Sequence, residues 1–142
     1  MQSKTSLGIF KALAWFVSIY HFILGLLAIL APASIVLPIV NTIYGVNPNV
    51  DAQFLYMVKF IGAYMIMFAV VAAILAYKPV EYRKLVWIPI GLFVIRIIER
   101  LFFFGLLSEA FNITFTQDLR VMIPIVILAI ALYYFRPRSS MA

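Results

Sequence analysis

An all-α integral membrane protein, folded as one bundle of four helices running up, down, up and down, is the class this sequence predicts. Three observations carry the prediction. Of the 142 residues, 66% are apolar and 11% charged, with a mean hydropathy of +1.11, and a soluble domain of that composition would present a surface that aggregates. The apolar residues gather into four stretches long enough, or nearly so, to cross a hydrocarbon layer of about 30 Å at 1.5 Å per residue. The connection from Lys78 to Lys84 is too short for anything but an antiparallel hairpin.

The spans are expected at about Leu7–Leu30, Phe54–Tyr77, Leu85–Leu107 and Leu119–Phe135, within a single transmembrane domain covering residues 1–142. The first begins after basic residues and ends near Ala31-Pro32-Ala33, a pattern that also fits a secretory signal. Its apolar run is longer than the usual signal core of about 7 to 15 residues and His21 interrupts it, so a membrane span is the expectation. Asp51, behind the turn-forming Asn47-Pro48-Asn49, is placed to cap the second span. Lys78-Pro79 suits a helix that stops before Pro79 and restarts with Pro79 in a first helical position. Pro89 is expected to kink the third span, and Thr116 or Asp118 to cap the fourth, where Pro124 lies in or near the first turn.

Orientation follows from the basic residues of the short loops, which favour the cytoplasm. Lys4 and Lys11, then Lys78, Arg83 and Lys84, then Arg136 and Arg138 fall on one side of a four-span chain. The opposite connections carry Asp51, Glu109 and Asp118 against Arg120 alone, so both termini are expected in the cytoplasm. Tyr77, Tyr82, Trp87, Tyr133 and Tyr134 then gather at the inner interface, where amphipathic rings are favoured. On the outer side, Ala33–Val46 is almost wholly apolar, divided by Pro38 and too short to span, which suits an interfacial or re-entrant segment. Phe111, Ile113 and Phe115 alternate with polar residues in the other outer loop, as a semi-apolar lid or as ordinary interfacial anchors.

Function is sought where the sequence breaks its own rule. Arg96, Glu99 and Arg100 sit inside the third span, and ionisable groups at membrane depth cost roughly 2.5 to 3.5 kcal/mol each even on the lenient insertion scale. With Pro89, Leu92 and Phe103 they occupy an arc of roughly 100° on one helix face. On the first helix Ala14, Ser18, His21, Gly25 and Ala28 recur at spacings of three and four, a close-packing face of small residues. A similar stripe, Lys59, Gly62, Ile66, Ala69, Ala73 and Ala76, marks the second. His21, Lys59, Arg96, Glu99 and Arg100 then lie within roughly 9 Å of depth in the outer half of the membrane. They form a candidate ligand-binding layer with a surplus of positive charge, to be completed by an anionic head group, a polarised carbonyl, a partner's carboxylate or water. Structural alternatives stand beside it: snorkelling of Lys59 and Arg100, an intrahelical Arg96–Glu99 pair, and a packed, hydrogen-bonded His21.

Several chemistries are set aside. The chain has no cysteine and one histidine, which excludes thiolate sites and makes a metal centre within one chain unexpected. The net charge of +6 is dispersed among apolar segments, so it reports topology and not a nucleic-acid partner. No phosphate loop, nucleophile elbow or metalloprotease helix is present, and acid–base work by His21 and Glu99 has no identified reacting group. No catalytic residue is assigned, and a non-catalytic protein is expected. Asn112-Ile113-Thr114 matches a glycosylation acceptor, a motif short enough to arise by chance.

In size, four spans and an arginine-bearing third segment, Leu85-Val86-Trp87-Ile88-Pro89-Ile90-Gly91-Leu92-Phe93-Val94-Ile95-Arg96, the chain resembles the small bacterial membrane proteins grouped as DoxX-like or BphX-like. The resemblance lies in layout, without a diagnostic motif. It implies a bacterial inner (plasma) membrane location and assigns no functional residue. Two functions then compete. One is a binding protein that holds the polar end of a lipid, quinone or similar amphipath at the charged layer. The other is an accessory subunit that docks a transmembrane partner, or a second copy, through the charged third helix.

Overall fold

The computed structural model describes residues 4–46 and 48–137, so Asn47 of the expected turn and Arg138 of the expected basic tail lie outside the described residues. The described residues are helical almost throughout: α1 (Lys4–Leu30), α2 (Ala33–Tyr44), α3 (Ala52–Tyr77), a 3-10 turn (Arg83–Val86), α4 (Trp87–Phe102), α5 (Phe104–Phe111) and α6 (Phe115–Phe135). Three of these, α1, α3 and α6, are long and apolar enough to cross a membrane. Large apolar side chains point outward along them, among them Phe16, Tyr64, Met67, Ile127 and Ile130. Such a surface is stable only against lipid or another apolar chain.

The strongest helix pair follows from the two small-residue stripes. α1 and α3 run antiparallel, with Gly25 opposite Gly62 and Ser18 Oγ donating to the Ala69 carbonyl at 2.9 Å. A Cβ on Gly25 would stand 2.8 Å from the Gly62 carbonyl oxygen, and one on Gly62 would stand 2.9 Å from both the Gly25 carbonyl oxygen and the Ala28 Cβ. Only hydrogen at both positions lets the backbones approach so closely, the arrangement that drives helix association where burial from water is not available. α4 and α6 form the second antiparallel pair, joined by Arg100 with Asp118 near one end and Trp87 with Tyr133 near the other. Between the pairs lies a core built from Phe10, Ala14, Val17, Phe68, Ala72, Leu75, Val86, Ile90, Phe93 and Leu132. This core fills one end of the bundle, where α1 begins and α3 ends.

The local turns differ from expectation at several points, each for a physical reason. Asp51 does cap α3, its carboxylate accepting from Phe54 N–H at 2.7 Å. α6 starts earlier than expected, and neither Thr116 nor Asp118 caps it. Thr114 does so in a reciprocal box with Gln117, which satisfies donors at the helix start from both directions and leaves Asp118 free for another task. Pro79 does not restart a helix; residues 79–82 turn and the 3-10 segment follows. Pro89 consequently falls in the first turn of α4, where its missing N–H breaks no bond, and it requires no kink. The irregularity lies instead at Phe103, between α4 and α5, bridged by Phe103 N–H to the Glu99 carbonyl and Leu107 N–H to the Phe103 carbonyl, both 2.9 Å. As a result the expected third span is divided, its longer part being the 16 residues of α4. Pro124 lies well inside α6, and the apolar Ala33–Tyr44 stretch is one helix continuous through Pro38, closed by Gly45 in a left-handed conformation (φ 67°).

Candidate functional site

The end of the bundle opposite the core is hollow. A cavity of about 230 Å³ lies between the upper parts of α1 and α3, where Leu24, Leu27 and Ala28 face Phe54, Val58, Ile61 and Met65. Val36, Ile39 and Val40 of α2, with Val46, form a further wall, and Phe111 of α5 contributes one ring. The semi-apolar segment Ala33–Val46 therefore walls an internal space as well as covering apolar surface. Every lining residue is apolar except one. Arg96 of α4 reaches the cavity and is its single charged member.

The position of Arg96 follows from the layer beneath it. His21 is packed edge-on against Phe68, with ring centroids 4.7 Å apart, and lies 6.2 Å from Phe93; the two phenylalanines are themselves 5.9 Å apart. These three residues, from α1, α3 and α4, make an aromatic layer across the bundle. One helical turn further along each helix stand Leu24, Met65 and Arg96, all of which line the cavity. The aromatic layer thus lies one turn below the cavity, and Arg96 belongs to the lining at that end.

The five residues singled out by sequence do not share one place. Buried His21 donates from Nδ1–H to the Val17 carbonyl at 2.8 Å, one turn back on its own helix, which in the neutral ring leaves Nε2 as the lone-pair nitrogen. It supports the cavity floor without lining the cavity. Lys59 is exposed, and its Nζ donates to the Ile29 carbonyl at 2.7 Å. That carbonyl belongs to the last turn of α1, where helical oxygens lack partners and a cation is favoured, so Lys59 ties α3 to the end of α1.

Arg100 faces α6. Its Nε and Nη2 both donate to Asp118 Oδ1 at 2.5 Å, and the pair is buried, with Asp118 only 1% exposed. Asp118 Oδ2 is likewise buried and has no hydrogen-bond partner among the described residues. Asp118 is the counter-ion that sequence reasoning missed, having placed it at a helix cap. The pairing belongs to the register of α4 against the antiparallel α6, which brings Trp87 to Tyr133 and Arg100 opposite Asp118. Glu99, expected beside the arginines or Lys59, is exposed on α4 and makes no ion pair among the described residues. The expected cluster is divided accordingly, with Arg100 paired to Asp118 on one side and Arg96 among the residues that line the cavity on the other.

At the end of the bundle where α6 finishes, the Arg136 guanidinium lies 3.9 Å from the Tyr133 ring centroid and 5.6 Å from that of Trp87, while Nη1 donates to the Tyr133 carbonyl at 2.7 Å. This brings together two of the expected interfacial aromatics. Among the described residues no three His, Cys, Asp or Glu side chains come together as a metal site.

The fold and site together define an all-α protein with membrane-spanning apolar helices and a cavity bearing one arginine. No family model, curated protein or solved structure matches the chain.

Proposed function

We propose that this chain is a four-crossing membrane protein with both termini in the cytoplasm, and that it binds the polar end of an amphipath, such as a lipid or quinone, at Arg96. The observation that carries this reading is the arginine at the floor of an otherwise apolar cavity. An apolar pocket with few convergent polar groups is the usual form of a small-molecule site, and a guanidinium inside it fixes the orientation of the guest. The α4–α5 segment serves as the third crossing, since the hydrogen bonds across Phe103 maintain its helical ladder. The layout resemblance supports a bacterial inner membrane as the location. Membrane lipids are then both solvent and candidate ligands.

Gentle extraction followed by native mass spectrometry tests the reading. The wild type should carry a bound amphipath that Arg96→Ala loses while remaining folded. A wild type that carries nothing, and takes up neither lipid nor quinone when these are added back, overturns it.

A second reading is favoured by Glu99. A carboxylate exposed on α4 among the exposed Leu92, Ile95 and Ile98 is poorly matched to lipid and suits a cationic residue on another transmembrane chain or second copy. In that case Glu99→Lys should release this chain from a larger complex recovered in mild detergent. Recovery as a monomer, with or without the substitution, rules the second reading out.

A further inference from the structure

The cavity is long for its volume. Its lining follows α3 from Phe54 to Met65, roughly 16 Å at the helical rise, yet it encloses only about 230 Å³. That exceeds the roughly 150 Å³ of an apolar cavity that stays dry and takes up benzene, and falls short of the roughly 300 to 1,000 Å³ of sites for drug-sized molecules. Length without breadth suits one extended chain and excludes two chains side by side. A buried water needs two to four polar partners. The lining offers one polar residue, Arg96, at the Met65 end, so the rest of its length favours an apolar guest.

The way in is marked by Ile61. It lines the cavity and is also the most exposed of the lining residues, at 51%, in a row with the exposed Met57 and Tyr64 on the same face of α3. Ile61 stands nine residues from the start of α3, roughly 14 Å along the helix, within the hydrocarbon of a membrane that α3 crosses. A mouth at that depth meets lipid chains, not water. We infer that the cavity takes one unbranched alkyl chain, which enters sideways from the bilayer past Ile61 and lies along α3 beside α1 and α2. The inference rests on the cavity being a ligand site, as proposed above, and asks nothing of Arg96 or its partners; it adds the shape of the guest's apolar part and its route of entry. Filling the space restores the contacts that the wall atoms otherwise lack. The methyl branches of an isoprenoid tail need breadth that the cavity does not have, so a straight-chain lipid is favoured over an isoprenoid quinone.

The experiment uses the full chain in digitonin micelles, whose steroid body offers no competing straight chain. Dodecane bearing a terminal diazirine is photolysed with the protein, and the labelled residues are mapped by peptide mass spectrometry. Label should appear on lining residues such as Met65 and Val58, and unlabelled dodecane should displace it at a mole fraction about tenfold or more below that needed of farnesane, which has the same backbone with three methyl branches. Val40→Trp and Ile39→Trp, which fill the cavity from α2 by separate routes, should each abolish this label and leave that on the exposed Ile127 and Ile130 of α6. With the diazirine on one chain of a phosphatidylcholine, equal labelling of the lining identifies a bilayer lipid as donor of the chain, and labelling by free dodecane alone identifies a single-chain guest; either supports the inference. Displacement by farnesane as readily as by dodecane overturns it, as does a lining that stays unlabelled or a label that no competitor removes. The polar-end reading stands or falls separately, on whether the extracted wild type retains an amphipath that Arg96→Ala loses.

Discussion

Arg100 and Asp118 form a buried ion pair whose worth is asymmetric. Two charges withdrawn from water repay their desolvation only in good geometry, but removing one partner strands the other. Arg100→Ala or Asp118→Ala should each destabilise the protein by about 3 to 5 kcal/mol, and the double replacement Arg100→Met with Asp118→Leu should come close to the wild type. Reversible unfolding in mixed micelles measures this, and a double variant as unstable as the singles would show that the pair is not the energetic unit. Lys78 and Glu81, outside the helices, behave differently. Their ion pair of 2.9 Å is solvent-exposed; hydrogen bonds from Lys78 and Tyr82 hold the Glu81 carboxyl below its ordinary value, and the Glu81 carboxylate raises Lys78. A lowered carboxylate stabilises above its unfolded pKa and loses that contribution as pH falls through the folded one, while a raised lysine loses its contribution as pH rises through the folded value. The bridge therefore acts between the carboxylate and lysine ranges, and as an exposed pair it is weak. Glu81→Gln should leave the unfolding midpoint at neutral pH unchanged within error; a clear drop would mean that the hairpin is held from there.

At the scale of the helix, glycine has opposite meanings at different sites. Gly25 and Gly62 face each other at the α1–α3 crossing, whereas a Cβ on Gly91 of α4 would meet nothing within 4 Å. Gly25→Ala should push the helices apart at a cost of about 1 to 3 kcal/mol, as overpacking of a tight contact does. Gly91→Ala should be neutral or stabilising by up to about 1 kcal/mol from helix propensity. The same unfolding measurement checks both, and equal effects would refute the assignment of the crossing. The two small-residue stripes were legible in the sequence because their spacing of three and four is a property of one helix. The break at Phe103 was not, since Leu101, Phe102, Phe103 and Phe104 are all apolar, and the nearby Gly105 lies inside α5 and not at the break. Pro89 drew the expectation of a kink because the span was expected to begin at Leu85; once the helix begins at Trp87, the same proline is harmless.

For the whole molecule, topology is the property to test, and the absence of cysteine makes it direct. Single cysteines introduced as Lys84→Cys and Glu109→Cys should label from opposite sides of sealed membrane vesicles, the first only from the cytoplasmic side. Labelling of both from one side would mean that α4 and α5 do not cross and that only α1, α3 and α6 do. The bundle is also uneven along its length. One end is filled by the Phe10, Leu75, Val86 and Leu132 core, the other holds the cavity, and the His21 layer divides them. The cavity sits in the half opposite the core, with Val36, Ile39 and Val40 of α2 among its lining residues.

The sequence by itself determined that the chain is α-helical and matched to a membrane, where its three longest helices lie, which faces of α1 and α3 pack together, and that Arg96 interrupts the third apolar segment. These are consequences of composition and of the helical period, which act within a single segment. Only the tertiary structure decided which of the depth-matched charges meet. Depth along a helix does not specify azimuth, and rotation of α4 sends Arg100 to Asp118, Arg96 to the cavity and Glu99 outward. The cavity belongs to the same level of organisation, because its walls come from five helices and no single segment contains it.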